Sequence, residues 1–172
     1  MPPLPSWQDQ FARLFNAHHP GLFRYFARLS GDPDLAADLA QEALVALYRR
    51  GEAPETPGPW LVTVAMNRFR NARAKVARRT RLLTTARSEM AQADPSPPAD
   101  GAVLASGERT RVRGILDGLE PREREILLLR AEGYSYREIA VALGIKDTSV
   151  GTILARARAA FLERYGDGSD PS

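Results

Sequence analysis

The sequence predicts an all-α protein made of two small helical domains joined by a flexible, acidic, proline-rich linker. Three observations lead there. Apolar residues recur at the spacing of helix faces in both halves of the chain, and no stretch shows the strict alternation of a half-buried strand. Between the halves, residues 93–101 read Ala-Asp-Pro-Ser-Pro-Pro-Ala-Asp-Gly, with almost no large apolar side chain to bury and with prolines that stop any helix. The expected boundaries are 6–87 for the first domain, 88–107 for the linker and 108–166 for the second domain.

In the first half, Trp7, Phe11, Leu14 and Phe15, then Leu22, Phe23, Phe26 and Leu29, lie at helical spacing. Pro20-Gly21 between them predicts two helical pieces. Asp32-Pro33 is a helix start, because the aspartate caps free amides and the proline sits where its missing N–H is not needed. The helix that follows runs to about Arg50. It buries Leu35, Leu39, Ala43 and Leu47 and turns Asp38, Gln41, Glu42 and Val45, at i, i+3, i+4 and i+7, to another side. Residues 51–59 hold three prolines and two glycines and predict a loop. A third helix begins near Pro59-Trp60 and ends before Ala93. In the second half, Leu116 and Leu119 close a short helix and Glu120-Pro121 opens another that Gly133 ends. Helices at Ser135–Gly144 and Thr148–Tyr165 follow.

Composition narrows the chemistry. The 172 residues include no cysteine, which excludes disulfides and thiolate metal sites, and the two histidines, His18 and His19, diverge as neighbours on a helix. No metal and no cofactor are expected. No stretch reaches the roughly 18 apolar residues of a bilayer span, and Met1-Pro-Pro-Leu-Pro-Ser lacks the basic and apolar regions of a secretory leader, so a cytoplasmic protein is expected. Net charge is only +3, but it is segregated. From Met66 to Arg87 the chain carries Arg68, Arg70, Arg73, Lys75, Arg78, Arg79, Arg81 and Arg87 with no acidic residue. Ser88 to Glu108 carries Glu89, Asp94, Asp100 and Glu108 with no basic one. A cationic stripe without counter-charges points to an anionic ligand.

A helix-turn-helix needs a small residue in its first helix, a glycine at the turn and a branched apolar residue in its second helix. Ala140, Gly144 and Val150 stand at that spacing, among Ile139, Leu143, Ile145 and Ile153. An ordinary helical hairpin would not require the small residue and the glycine. The second helix then offers Lys146, Thr148, Ser149, Gly151, Thr152 and Ala155 to base edges, with Arg156 and Arg158 near phosphates. This base-facing set is small and has no Asn, Gln or Arg at its centre, which favours shape and thymine-methyl contacts over bidentate readout.

Two stretches carry a family resemblance. Leu-Glu-Pro-Arg-Glu-Arg-Glu-Ile-Leu-Leu-Leu, Glu-Gly-Tyr-Ser-Tyr-Arg-Glu-Ile-Ala and Arg-Ala-Arg, within Leu116–Leu162, resemble domain 4 of the sigma-70 family and also the output domain of LuxR-like regulators. Asp38-Leu-Ala-Gln-Glu42, then Trp60-Leu61, Ala65, Asn67 and the basic run, resemble domain 2 of the extracytoplasmic-function sigma factors. The resemblance implies a transcription initiation subunit with no catalytic residues. It implies docking of Asp38, Gln41, Glu42 and Val45 on the clamp helices of the largest subunit of RNA polymerase core, a contact to the polymerase flap, and capture of a flipped −10 base by the loop at 51–58. It implies a path for single-stranded −10 DNA along Asn67, Arg68, Arg70, Arg73, Arg78 and Arg79, and reading of the −35 element by the second helix of the helix-turn-helix. In this family an anti-sigma factor commonly packs between the two domains.

Trp60 has two readings, as core anchor or as base-stacking wedge. Departures from the family pattern are Met66, Asn71, Gly151 and Ile153, the last two standing where basic residues are usual. Two rivals are a freestanding LuxR-like helix-turn-helix regulator, which gives Asp38–Glu42 no role, and a metal-dependent nucleic-acid enzyme, for which Asp32, Asp34 and Asp38 are the one candidate cluster. Helix capping explains Asp32 and Asp34 more simply.

Overall fold

A computed structural model describes residues 4–87 and 105–168. The described residues form seven helices: α1 (Trp7–Ser30), α2 (Pro33–Arg50), α3 (Pro57–Arg87), α4 (Ala105–Asp117), α5 (Pro121–Ala131), α6 (Tyr136–Leu143) and α7 (Asp147–Asp167). Among them there is no strand. The linker expected at 88–107 falls mainly on 88–104, outside the described residues; its last residues belong to α4.

Local chemistry accounts for several helix boundaries. Ser6 and Asp9 cap α1 reciprocally, the Ser6 hydroxyl accepting from the Asp9 amide while the Asp9 carboxylate accepts from the Ser6 amide. Asp32 Oδ1 accepts from the amides of Asp34 and Leu35 at 3.0 and 3.1 Å, with Pro33 opening α2 as expected. Ser135 and Glu138 repeat the reciprocal cap on α6. Gly144 closes α6 in the left-handed conformation, φ +65°, which a glycine adopts without steric cost.

One expectation fails. Pro20 does not divide α1, which runs unbroken through it. The ring lies on the exposed side, while Leu22, Tyr25, Phe26 and Leu29 beyond it are buried against α2 and α3. Burying four large side chains, at about 1.5–3 kcal/mol each, is comparable with or larger than the roughly 3 kcal/mol that an interior proline costs a helix.

The helix of Asp32–Arg50 buries Leu39, Ala43 and Leu47 as expected, with Leu35 half-buried. Helices α1, α2 and α3 pack on one another around Leu22, Phe26, Leu44, Leu61 and Phe69, and α5, α6 and α7 pack around Ile126, Leu129, Ile139, Val150 and Leu154. These two clusters are continuous: α3 lies against α6 and α1 against α5, so the two halves share one apolar core. The end of α3 is different. Residues 73–86 are exposed throughout, so the second half of this helix stands away from the body.

Candidate polymerase and nucleic-acid interfaces

On α2, Asp38, Gln41, Glu42 and Val45 are all exposed, as the spacing predicts. Together with Ala46, Arg49 and Arg68 they line a groove of about 720 Å³. Arg49 escaped the sequence reading, although it stands one further turn along the row ending in Val45. Arg68 does not face an empty surface. Its Nη1 donates to Glu42 Oε2 at 2.8 Å, joining the start of the basic stripe to the acidic face of α2.

Other members of the stripe have partners from distant parts of the chain, which corrects the expectation of cations without counter-charges. Arg70 donates to Glu125 of α5, with Nη2 3.3 Å from Oε2, and Arg122 approaches the same carboxylate at 3.2 Å. Arg73 lies with its guanidinium 5.6 Å from the centre of the Phe69 ring. Asn67, Arg78 and Arg79 are exposed on α3. Only the outer part of the stripe therefore keeps the character of an open cationic surface, suited to phosphates. Met66 is buried in the core, and Asn71 is exposed.

Residues 51–56 form the loop before α3, whose start at Pro57 lies two residues earlier than the sequence suggests. Trp60 is half-buried and packs against the core, with the Arg50 guanidinium 5.9 Å from its ring centre.

The helix-turn-helix is formed by α6 and α7. Ala140 and Val150 are buried at the crossing and Gly144 makes the turn, each in the expected role. Lys146, at the N-cap of α7, and Thr148, Thr152, Ala155, Arg156 and Arg158 within it are exposed, whereas Ser149 and Gly151 are half-buried. A Cβ on Gly151 would stand 3.5 Å from the Tyr136 ring, so this position faces α6 as much as solvent. Arg156 is held by Glu123, Nε to Oε1 at 2.8 Å, and that carboxylate is only 8% exposed. A charged pair with one buried partner fixes the guanidinium more firmly than an exposed pair does.

A third feature was not legible in the sequence. A cleft of about 470 Å³ lies between α1, the loop before α3 and the α5–α6 turn, lined in part by His18, Arg24, Glu55, Gly58, Glu132 and Tyr134. Glu132, with its side chain 5% exposed, accepts from Arg24 Nη2 and Arg28 Nη1, both at 3.0 Å. Burial pushes the Tyr134 hydroxyl up to about 12, helped by Glu138 and Glu132, and lowers the His18 pKa. Among the described residues no group of three or more His, Asp or Glu side chains is arranged to hold a metal ion.

A helix-turn-helix and a partly open cationic helix in one chain define the class as a helical DNA-binding protein, which also carries an exposed acidic and amide face on α2. Comparison with known proteins makes the assignment specific. The model of Sigma-70 region 2 matches residues 14–80, and that of Sigma-70, region 4 matches residues 109–161. The RNA polymerase sigma factor CarQ of Myxococcus xanthus is 34% identical over 146 residues, covering 80% of this chain and 79% of its own. The ECF RNA polymerase sigma factor SigE of Mycolicibacterium smegmatis is 30% identical over 158 residues, covering 89% of this chain; the chain spans 58% of that relative's length. The protein belongs to the extracytoplasmic-function sigma factors of the sigma-70 family. Among solved structures, the sigma factor RpoE in complex with the anti-sigma factor NepR from Bartonella quintana shares the fold, with a TM-score of 0.67 and 23% identity, over 91% of this chain and 97% of that one. CnrH in complex with the cytosolic domain of CnrY gives 0.66 and 24%, over 95% and 91%.

Proposed function

We propose that this protein directs bacterial RNA polymerase core to a set of promoters, with residues 6–87 acting as domain 2 and residues 108–166 as domain 4. The observation that carries the reading is the α2 groove: a DNA-binding regulator working alone has no use for an exposed row of Asp38, Gln41, Glu42, Val45 and Arg49. Anionic and amide groups in that row suit arginines on the clamp helices of the largest polymerase subunit. Domain 4 contacts the flap.

In this reading the loop at 51–58 and Trp60 receive an unpaired −10 base. Asn67, Arg68, Arg70 and Arg73 follow the single strand, and Arg78 and Arg79 screen its phosphates. The N-terminal turns of α7 enter the −35 major groove, with Lys146, Thr148, Ser149, Gly151, Thr152 and Ala155 toward base edges and Arg156 and Arg158 toward phosphates. No bond is made or broken by this chain. Captured bases and neutralised phosphates offset unpairing, which costs a few kcal/mol. The protein acts in the cytoplasm, where polymerase works, and an anti-sigma factor is a fitting regulator.

The test is association with purified core polymerase on a sizing column, for the native chain and for Asp38→Lys with Glu42→Lys. Co-migration of the native chain and its loss on charge reversal are expected. Failure of the native chain to associate would sink the reading in favour of a self-sufficient regulator.

A further inference from the structure

The base-facing row of α7 is short. Thr148, Gly151, Thr152 and Ala155 stand at i, i+3, i+4 and i+7 and so share one face of the helix, and none of their side chains reaches past a threonine's. Gly151, in the middle of the row, has no side chain at all. The space beside it is taken by another helix. A Cβ on Gly151 would meet Tyr136 Cε2 at 3.5 Å, an ordinary van der Waals contact.

Tyr136 opens α6, the first helix of the helix-turn-helix, and the fold has no evident need of its ring. The α6 cap is completed by Ser135 and Glu138. Ile139, Ala140, Val150 and Leu154 fill the core where α6 and α7 pack, all of them buried, whereas Tyr136 is 44% exposed. The ring is nonetheless held in place. The Arg130 guanidinium lies 5.8 Å from its centre, and Arg130 Nη1 donates to the Tyr134 carbonyl at 3.0 Å, which fixes the guanidinium in turn. A ring oriented before DNA arrives loses little entropy when DNA binds.

A tyrosine beside a major-groove row can offer its hydroxyl to a phosphate or its carbon edge to a base. The contact favours the base, because a ring carbon lies against the centre of the row. The neighbours point the same way. Threonine and alanine methyls around Gly151, with no amide, carboxylate or guanidinium among Thr148, Gly151, Thr152 and Ala155, make no bidentate pair, and the major-groove group that rewards apolar surface is the C5 methyl of thymine.

We propose that Tyr136 is a specificity-determining residue of the duplex-reading surface: its ring edge supplies the side chain that Gly151 lacks and packs on the C5 methyl of one thymine in the −35 element. The inference rests on the −35 reading of α7 given above. It extends the reading surface from one helix to two, so that base preference at this point is set by a residue outside α7.

Uracil differs from thymine in duplex DNA by that methyl alone, which makes the contact testable atom by atom. Holoenzyme assembled with the native chain first selects −35 sequences from a random duplex library. Each thymine of the selected element is then replaced singly by deoxyuridine, and binding is measured by fluorescence anisotropy for holoenzymes carrying the native chain, Tyr136→Phe, Tyr136→Ala and Tyr136→Gln. At one position uracil should weaken the native chain and Tyr136→Phe about fourfold, the worth of one buried methyl, and should leave Tyr136→Ala and Tyr136→Gln indifferent. Tyr136→Gln keeps a long, helix-compatible side chain without the ring and serves where alanine perturbs folding. The salt slope of binding should be unchanged in every variant, since no cation is removed. A ring that only steadies the fold would weaken thymine and uracil duplexes alike. Overturning results are a selected element without thymine, uracil effects that are the same in the native chain and in both ring-less variants at every position, or no uracil effect on the native chain. If the native holoenzyme selects no −35 sequence at all, the −35 reading falls and this inference with it.

Discussion

Gly144 and Gly114 offer the same substitution with opposite expected signs. Gly144 terminates α6 at φ +65°, and an added Cβ would meet nothing within 4 Å. The effect of Gly144→Ala is therefore conformational alone: holding a non-glycine residue in the left-handed region costs about 1–2 kcal/mol. Gly114 lies exposed within α4, also with nothing within 4 Å of a new Cβ, and alanine there is favoured by about 0.5–1 kcal/mol through the unfolded chain and helix propensity. For a chain of this size unfolding as one unit, each kcal/mol moves the melting temperature by about 2–4 °C. Gly144→Ala should thus lower the melting temperature by roughly 2–8 °C and Gly114→Ala should raise it by roughly 1–4 °C. Far-ultraviolet circular dichroism on heating measures both. A neutral or stabilising Gly144→Ala would refute the claim that the turn of the helix-turn-helix depends on a left-handed residue. A destabilising Gly114→Ala would refute the assignment of α4 as a continuous, solvent-faced helix at that point.

Alkali should act on the contact between the halves. Burial raises Tyr134 to about 12 and Tyr25 well above 10, so both are neutral in the folded protein where the unfolded chain would ionise. Their contribution is complete below pH 10 and is lost as pH rises from there toward about 12, so denaturant midpoints should fall across that window. Tyrosinate absorbance showing all five tyrosines ionising together near pH 10 would contradict this. On α7, Thr152→Ala should change the sequences selected from a random duplex library by the holoenzyme. Arg158→Ala should weaken binding to all of them alike and reduce the salt slope of binding by about one. An unaltered preference for Thr152→Ala, or an altered one for Arg158→Ala, would reverse those assignments.

What the sequence disclosed and what it hid divide along a physical line. Features governed by neighbouring residues were legible: the Asp32-Pro33 start, the exposed row on α2, and the Ala140, Gly144 and Val150 set. Features governed by partners far along the chain were not. Nothing near Arg70 announces Glu125, and nothing near Arg24 and Arg28 announces Glu132 more than a hundred residues away. The unbroken α1 belongs to the same class, since local rules see Pro20 but not the core that holds both of its sides. The stripe of arginines was read correctly as a charge pattern and incorrectly as uniformly unpartnered.

The exposed end of α3 has a geometric consequence. Residues 73–86 advance about 1.5 Å and turn about 100° apiece, so this stretch is a stiff arm of roughly 20 Å whose arginines keep a fixed angular phase relative to the loop at its root. Lengthening the arm by a near-whole number of turns preserves that phase and moves the tip outward. Lengthening it by half a turn carries the outer cations to the opposite side. Reach and bearing are thus set independently, by the length of one helix and by its remainder after whole turns.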